Sequence, residues 1–116
     1  MGVALRASQA LRLWQSVALE EVRAGGPDLS MRQSAILLSI YLDPPPHTIR
    51  GLAERLGVTK PVITRALDTM GALGLVSRHR DDKDKRNVLV RRTVQGSLFV
   101  ERFGDAIIAR AGALPH

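Results

Sequence analysis

At Gly74 the spacing of apolar residues changes from a repeat of about 3.6 to one of about 2, and this break limits the possible folds more than any other feature of the chain. Upstream of it, apolar side chains recur three and four positions apart, as on helices that bury one face. Downstream, residues 75–79 and 87–92 read as two short extended runs. The stretch between them, Arg80-Asp81-Asp82-Lys83-Asp84-Lys85-Arg86, is too charged to leave water, so the runs are predicted to pair as a hairpin with an exposed loop. A length of 116 residues supplies one core, and a single domain over residues 1–116 is expected.

Four helices are predicted before the break and one after it. Residues 3–23 carry Ala7, Ala10, Trp14 and Val17, and beside them Leu11, Ala18 and Val22, at helical spacing. Gly25-Gly26-Pro27 ends that run. Ser30 with Gln33 three places on has the spacing of a capping box and opens a second helix, whose buried face is predicted as Met31, Ala35, Leu38 and Leu42. Asp43-Pro44-Pro45-Pro46 cannot continue a helix and makes a stiff connector. Thr48 is placed to cap a short third helix with Ile49, Leu52, Ala53 and Leu56 on one face; Gly57 ends it in the left-handed conformation that glycine adopts at little cost. Thr59 is placed to cap a fourth helix, with Pro61 in its first turn, Ile63, Leu67 and Met70 inward, and an end near Gly74. After the hairpin, Thr93 is expected to cap a last helix towards Ala111, with Phe99, Phe103, Ala106, Ile107 and Leu114 at helical spacing.

The joint Leu56-Gly57-Val58-Thr59 has the length of a helix-turn-helix connector, and the charged hairpin follows directly. The fold class is therefore mainly α with a small β-hairpin wing: a winged helix-turn-helix over residues 30–93, flanked by helices at 1–25 and 94–116. With Ile63, Leu67 and Met70 inward, Lys60, Thr64, Arg65 and Asp68 lie on other faces of the fourth helix. The first three stand near its N-terminal end, which enters the major groove in this motif and favours phosphate through its dipole. Arg65 can grip guanine O6 and N7 with two N–H groups, and Val62 or a threonine methyl can meet a thymine methyl. Charge points the same way. The net +6 comes from 17 basic and 11 acidic residues, and residues 48–92 alone hold 11 of the former and five of the latter, while both flanks are neutral. Positive charge confined to one segment calls for a polyanion there.

Leu52-Ala53-Glu54-Arg55-Leu56-Gly57-Val58, then Val62-Ile63-Thr64-Arg65 with Leu67-Asp68, then Gly74-Leu75-Val76 with Arg78, then Asp81, Asp84-Lys85-Arg86 and the closing Thr93 and Gly96 occur in a specific order and spacing. In these residues, from about Leu29 to Gly96, the sequence resembles the MarR family of winged-helix transcription regulators. The resemblance implies a recognition helix led by Thr59, Lys60, Pro61, Val62, Thr64 and Arg65, with Arg78, Lys83, Lys85 and Arg86 also on the DNA. Arg86 would reach the minor groove or a phosphate, and Asp84 would brace the wing by holding a basic residue in place. It further implies a homodimer on a two-fold symmetric operator, more often a repressor, in the bacterial cytoplasm and on the nucleoid when bound, with no cofactor. The dimer interface is expected from the first and last helices, through Leu11, Trp14, Val17, Phe99, Phe103 and Ile107. A small-molecule effector, of unidentified chemistry, would sit between the dimer helices and the winged helix, where family members often bind aromatic acids. The chain departs from the pattern twice. Arg92-Thr93 stands where the family usually has Leu-Thr, so an inward arginine must find a partner, and only about 20 residues follow Gly96 where family members carry two long helical segments.

Other classes are excluded by what the sequence lacks. Without cysteine there is no disulfide, thiolate metal site or thiol redox switch, so any controlling ligand is not a thiol oxidant. The longest apolar stretch, residues 35–42, is far short of the roughly 20 residues that cross a bilayer. Arg6 and Arg12 without an early acidic residue give the first 14 residues a transit-peptide look, but the segment runs unbroken into Glu20 and Glu21. Gly2 begins no myristoylation motif, because Arg6 stands where Ser or Thr is required. His47, His79 and His116 lack metal-ligand spacing; Asp81, Asp82 and Asp84 lack the Gly and Glu of a calcium loop; no serine sits in a nucleophile elbow. Catalysis is not expected. The rival of a different class is a winged-helix protein-interaction module without DNA, which has no need of Thr64, Arg65 and Arg86 together on a basic segment.

Overall fold

The computed structural model describes residues 4–115. Along the chain run α1 (Ala7–Ala24), α2 (Met31–Leu42), β1 (His47–Thr48), α3 (Ile49–Leu56), α4 (Lys60–Ala72), β2 (Val76–Arg80), β3 (Val88–Arg92) and α5 (Val94–Gly112). By contacts these fall into two compact units, Leu29–Val100 and, within the described residues, 4–28 with 101–115.

In Leu29–Val100 the helix boundaries follow side-chain caps. The Ser30 hydroxyl accepts from Gln33 N at 3.1 Å while Ser30 N donates to the Gln33 side chain at 2.8 Å, the reciprocal box read from the sequence. Thr48 Oγ1 accepts from Gly51 N at 2.9 Å, and Gly57 closes α3 at φ 69°. Thr93 Oγ1 accepts from Gly96 N at 2.9 Å and starts α5. Each bond satisfies an N–H that the first helical turn leaves without a backbone acceptor.

The core joins Ile36, Leu37 and Ile40 of α2, Leu52 and Ala53 of α3, and Ile63, Ala66, Leu67 and Met70 of α4 to Leu75, Val76 and Val90. One expectation is corrected here. Met31, Ala35 and Leu42 are exposed and Leu38 is half-buried, so the predicted face of α2 is not its inner one. Residues 35–42 are apolar almost without interruption, and such a run fixes no rotational phase; packing against α3 and α4 selects Ile36, Leu37 and Ile40 instead.

The hairpin forms as expected, with Val76 opposite Arg92 at its root and Arg80 opposite Val88 next to the loop. An unexpected strand joins it. β1 pairs antiparallel with β3 through His47↔Val90 and Thr48↔Leu89, giving a three-stranded sheet in the order β1-β3-β2.

In the other unit, α1 begins at Ala7, later than predicted, because Arg6 is extended and its N–H is taken by the Gln9 side chain at 2.9 Å. Arg110 Nε of α5 pairs with Glu20 of α1 at 3.0 Å, and Gln9 donates to Pro115 O at 3.3 Å. Leu114 lies just beyond the end of α5. Gly2, Val3 and His116, which entered the expectations above, lie outside the described residues. No helix among the described residues is long and apolar enough to cross a membrane.

Candidate nucleic-acid interface

Burying Ile63, Ala66, Leu67 and Met70 fixes which side of α4 faces away from the core. Thr59, Lys60, Pro61 and Arg65 are exposed, and Val62 and Thr64 are half-buried beside them. Thr59 is the residue before the helix, but its hydroxyl makes no capping bond, in contrast to Ser30, Thr48 and Thr93. Pro61 brings no N–H of its own. The first turn of α4 thus keeps free N–H groups and the positive end of its dipole for an outside acceptor, with the Lys60 ammonium alongside. Arg65 carries no ion pair or side-chain hydrogen bond among the described residues, so both edges of its guanidinium are open.

The wing loop is organised by Asp84. Its carboxylate takes Arg86 Nε at 3.0 Å on Oδ1 and Arg86 Nη2 at 3.1 Å on Oδ2, and accepts from Arg86 N at 3.1 Å; the Asp84 carbonyl accepts from Asn87 N at 2.9 Å. Asp81 Oδ1 turns the chain by accepting from Lys83 N at 2.9 Å, and Arg80 Nη1 donates to Lys85 O at 2.6 Å. The Arg86 side-chain bonds hold the Asp84 carboxyl below its ordinary pKa, helped by the Arg86 backbone N–H and by the nearby Arg50 of α3 and opposed by desolvation. The same bonds raise Arg86. Two of the five guanidinium N–H groups of Arg86 are used, and three remain to donate outward. Lys83 and Lys85 project from the same exposed loop with no side-chain partner among the described residues.

Arg78 behaves differently from the other predicted contacts. It pairs with Asp68 of α4 at 2.8 Å, tying β2 to the recognition helix and masking the carboxylate on that helix. Reasoning from the sequence treated the two separately, since residues ten apart on a helix and a strand carry no local signal of meeting. It also passed over Arg50, whose only sign is its place at the start of α3. Arg92 is not inward and unpaired: Nε donates to Ile40 O at 2.8 Å and Nη2 to Asp43 O at 3.0 Å.

Among the residues expected at a dimer interface, Leu11 (70% exposed), Trp14 (57%) and Ile107 (39%) are open to solvent. Phe103 is half-buried, Val17 is buried, and Phe99 packs against the winged-helix core.

A family model described as the MarR family matches residues 27–87, just over half of the chain. The HTH-type transcriptional repressor YetL of Bacillus subtilis is 35% identical over 80 residues, 67% of this chain and 47% of the relative, so the match spans about half of that protein. A MarR mutant from E. coli, solved in complex with operator DNA, superimposes with a TM-score of 0.66 at 26% identity, covering 86% of this chain and 66% of that one. An S. aureus MepR mutant gives a TM-score of 0.71 at 20% identity over 91% of this chain and 79% of that one.

Proposed function

This chain belongs to the MarR family, and from that premise we propose that it is a sequence-specific duplex-DNA-binding transcription regulator, a repressor, that acts as a homodimer on a two-fold symmetric operator. The observation that carries the reading is the uncapped start of α4. Three other helices of the chain close their first turn with a serine or threonine hydroxyl, whereas α4 leaves its N–H groups free next to Lys60, Thr64 and the unpaired Arg65. A protein-binding winged helix gains nothing from an open, positive helix end; a major-groove reader does. The E. coli neighbour's complex with operator DNA supports the partner, and the B. subtilis relative's description supports repression.

In this reading Thr59, Lys60, Pro61, Val62, Thr64 and Arg65 meet the major groove, with Arg65 reading a base edge. Lys83, Lys85 and Arg86 supply phosphate or minor-groove attraction, and Asp84 holds Arg86 ready. Arg78 contributes by neutralising Asp68, which would otherwise repel phosphate. The dimer forms through the exposed Leu11, Trp14 and Ile107, with Val17, Phe99 and Phe103 supporting them from beneath.

The test is equilibrium binding to duplex DNA across a salt series. Affinity should fall linearly on a log–log plot with a slope of about −0.9 for each phosphate neutralised. Binding that ignores salt, or no binding at all, would overturn the reading in favour of the protein-interaction module.

A further inference from the structure

The wing projects from two strand ends that a single phenol oxygen holds together. Tyr41 of α2 donates its O–H to Leu75 O, just before β2, at 2.6 Å and accepts from Thr93 N, just after β3, at 3.0 Å. Thr93 in turn donates from its hydroxyl to Gly74 O at 2.7 Å, so the last turn after α4, both strand roots and the first turn of α5 meet at one point. Gly96 is the close approach that permits this: a Cβ there would collide with the Tyr41 hydroxyl and the Leu75 carbonyl.

Arg92 completes the junction from the other side. The Ile40 carbonyl would be closed in a continuing helix by the N–H of residue 44, but Pro44 has none. Arg92 supplies the missing donor, reaches Asp43 O with its second arm, and lays its guanidinium 5.8 Å from the centre of the Tyr41 ring. A forked, planar cation fits two carbonyls and a ring face at once; a leucine offers no donor and a lysine only a point charge.

We infer that Tyr41 and Arg92 are positioning residues for DNA binding, which set the angle at which the wing leaves the α2–α4 core and hence where Lys83, Lys85 and Arg86 meet the duplex. The inference rests on the DNA-binding reading above. Leverage is its physical basis. Five residues of strand at about 3.3 Å each carry the loop about 17 Å from the root, so a tilt of roughly 10° at the root moves the tip by about 3 Å, as much as a hydrogen-bond length.

The experiment measures binding to a short mixed-sequence duplex across a salt series for the wild-type chain and for Tyr41→Phe, Arg92→Leu and Arg92→Lys, each checked for folding by its thermal melt. Tyr41→Phe alters no charge, so a changed salt slope cannot come from a deleted phosphate contact. All three variants should bind roughly fivefold more weakly, with the slope reduced by about one to two units as the wing loses register on each protomer. If folded Tyr41→Phe melts lower but binds with wild-type affinity and slope, the junction is merely structural and the inference fails while DNA binding stands. If Arg92→Lys matches wild type and Arg92→Leu does not, Arg92 acts by charge, and its positioning role is overturned. Should Tyr41→Phe not fold, the two Arg92 variants decide. A wild-type chain that shows no salt-dependent duplex binding defeats the DNA reading itself, and the positioning role with it.

Discussion

Leu29–Val100 and the unit of α1 with the end of α5 solve the problem of apolar surface in opposite ways. Every buried hydrophobic residue of the described chain except Val17 lies in Leu29–Val100, where Ile36, Ile40, Ile63, Leu67 and Met70 are wholly sequestered. α1 keeps Leu11, Trp14, Leu19 and Val22 in water, and the far part of α5 does so with Ile107 and Ile108. The winged helix completes its core from its own residues, whereas the helix pair carries a surface of the kind that a second protein covers. A DNA reader built so can hold its groove-facing geometry fixed in one unit and leave assembly to the other.

The sharpest way to break this contrast is to excavate the first core. Leu67→Ala should cost about 2–5 kcal/mol and lower the thermal midpoint by tens of degrees, because α4 then packs over a cavity. Leu11→Ala should change the stability of the isolated chain by only about 0.5 kcal/mol or less. Circular-dichroism melts of the two variants should therefore be far apart; similar losses would mean that α1 is part of the same core.

Next in size is the assembly effect. Trp14→Ala should weaken self-association by about 2 kcal/mol, roughly 30-fold, while leaving the winged helix folded. Light scattering over a dilution series measures it, and a wild-type chain that is monomeric both free and on DNA would refute the role given to α1.

Within the winged helix, Arg65→Ala should cost about 1–3 kcal/mol on the operator, much less on random duplex, and relax preference at one base pair. Arg86→Ala should weaken both duplexes alike and flatten the salt slope by roughly one unit per contact. Equal losses on both duplexes for Arg65→Ala would show that it is a phosphate contact instead.

The smallest effect is one of pH. Because the folded Asp84 carboxyl lies below its ordinary pKa, its contribution to loop order is complete above the unfolded value of about 4 and disappears as pH falls through the lower folded one. Amide NMR signals of Arg86 and Asn87 should accordingly be constant from neutral pH down to about 5 and shift only in stronger acid. In Asp84→Asn that acid step should be missing.

What could be read in the sequence was local. Ser30 with Gln33, Thr48 with Gly51, Gly57, and Thr93 with Gly96 each act within four residues, and the structure makes each of those arrangements. The period change at Gly74 likewise produced the hairpin. The rest depends on partners far along the chain. The phase of α2 is chosen by α3 and α4; β1 exists only because β3 lies alongside it; Arg78 meets Asp68 only once β2 returns past α4. Arg92 was legible as an anomaly but not as a solution, since its acceptors lie 49 and 52 positions earlier. At the candidate interface, the exposed basic positions could be inferred from spacing, while the uncapped Thr59 could not, because Thr59 looks in sequence like the capping threonines at 48 and 93.

The two-residue strand β1 has a consequence for solubility. It forms one border of the sheet, and the residues leading into it, Pro44, Pro45 and Pro46, have no N–H to offer an incoming strand. The opposite border, β2, presents Arg78, His79 and Arg80, which repel a second copy of themselves. Neither margin of the sheet can template a growing ladder, so a chain that displays apolar side chains for assembly at α1 and α5 is kept from associating through its strands.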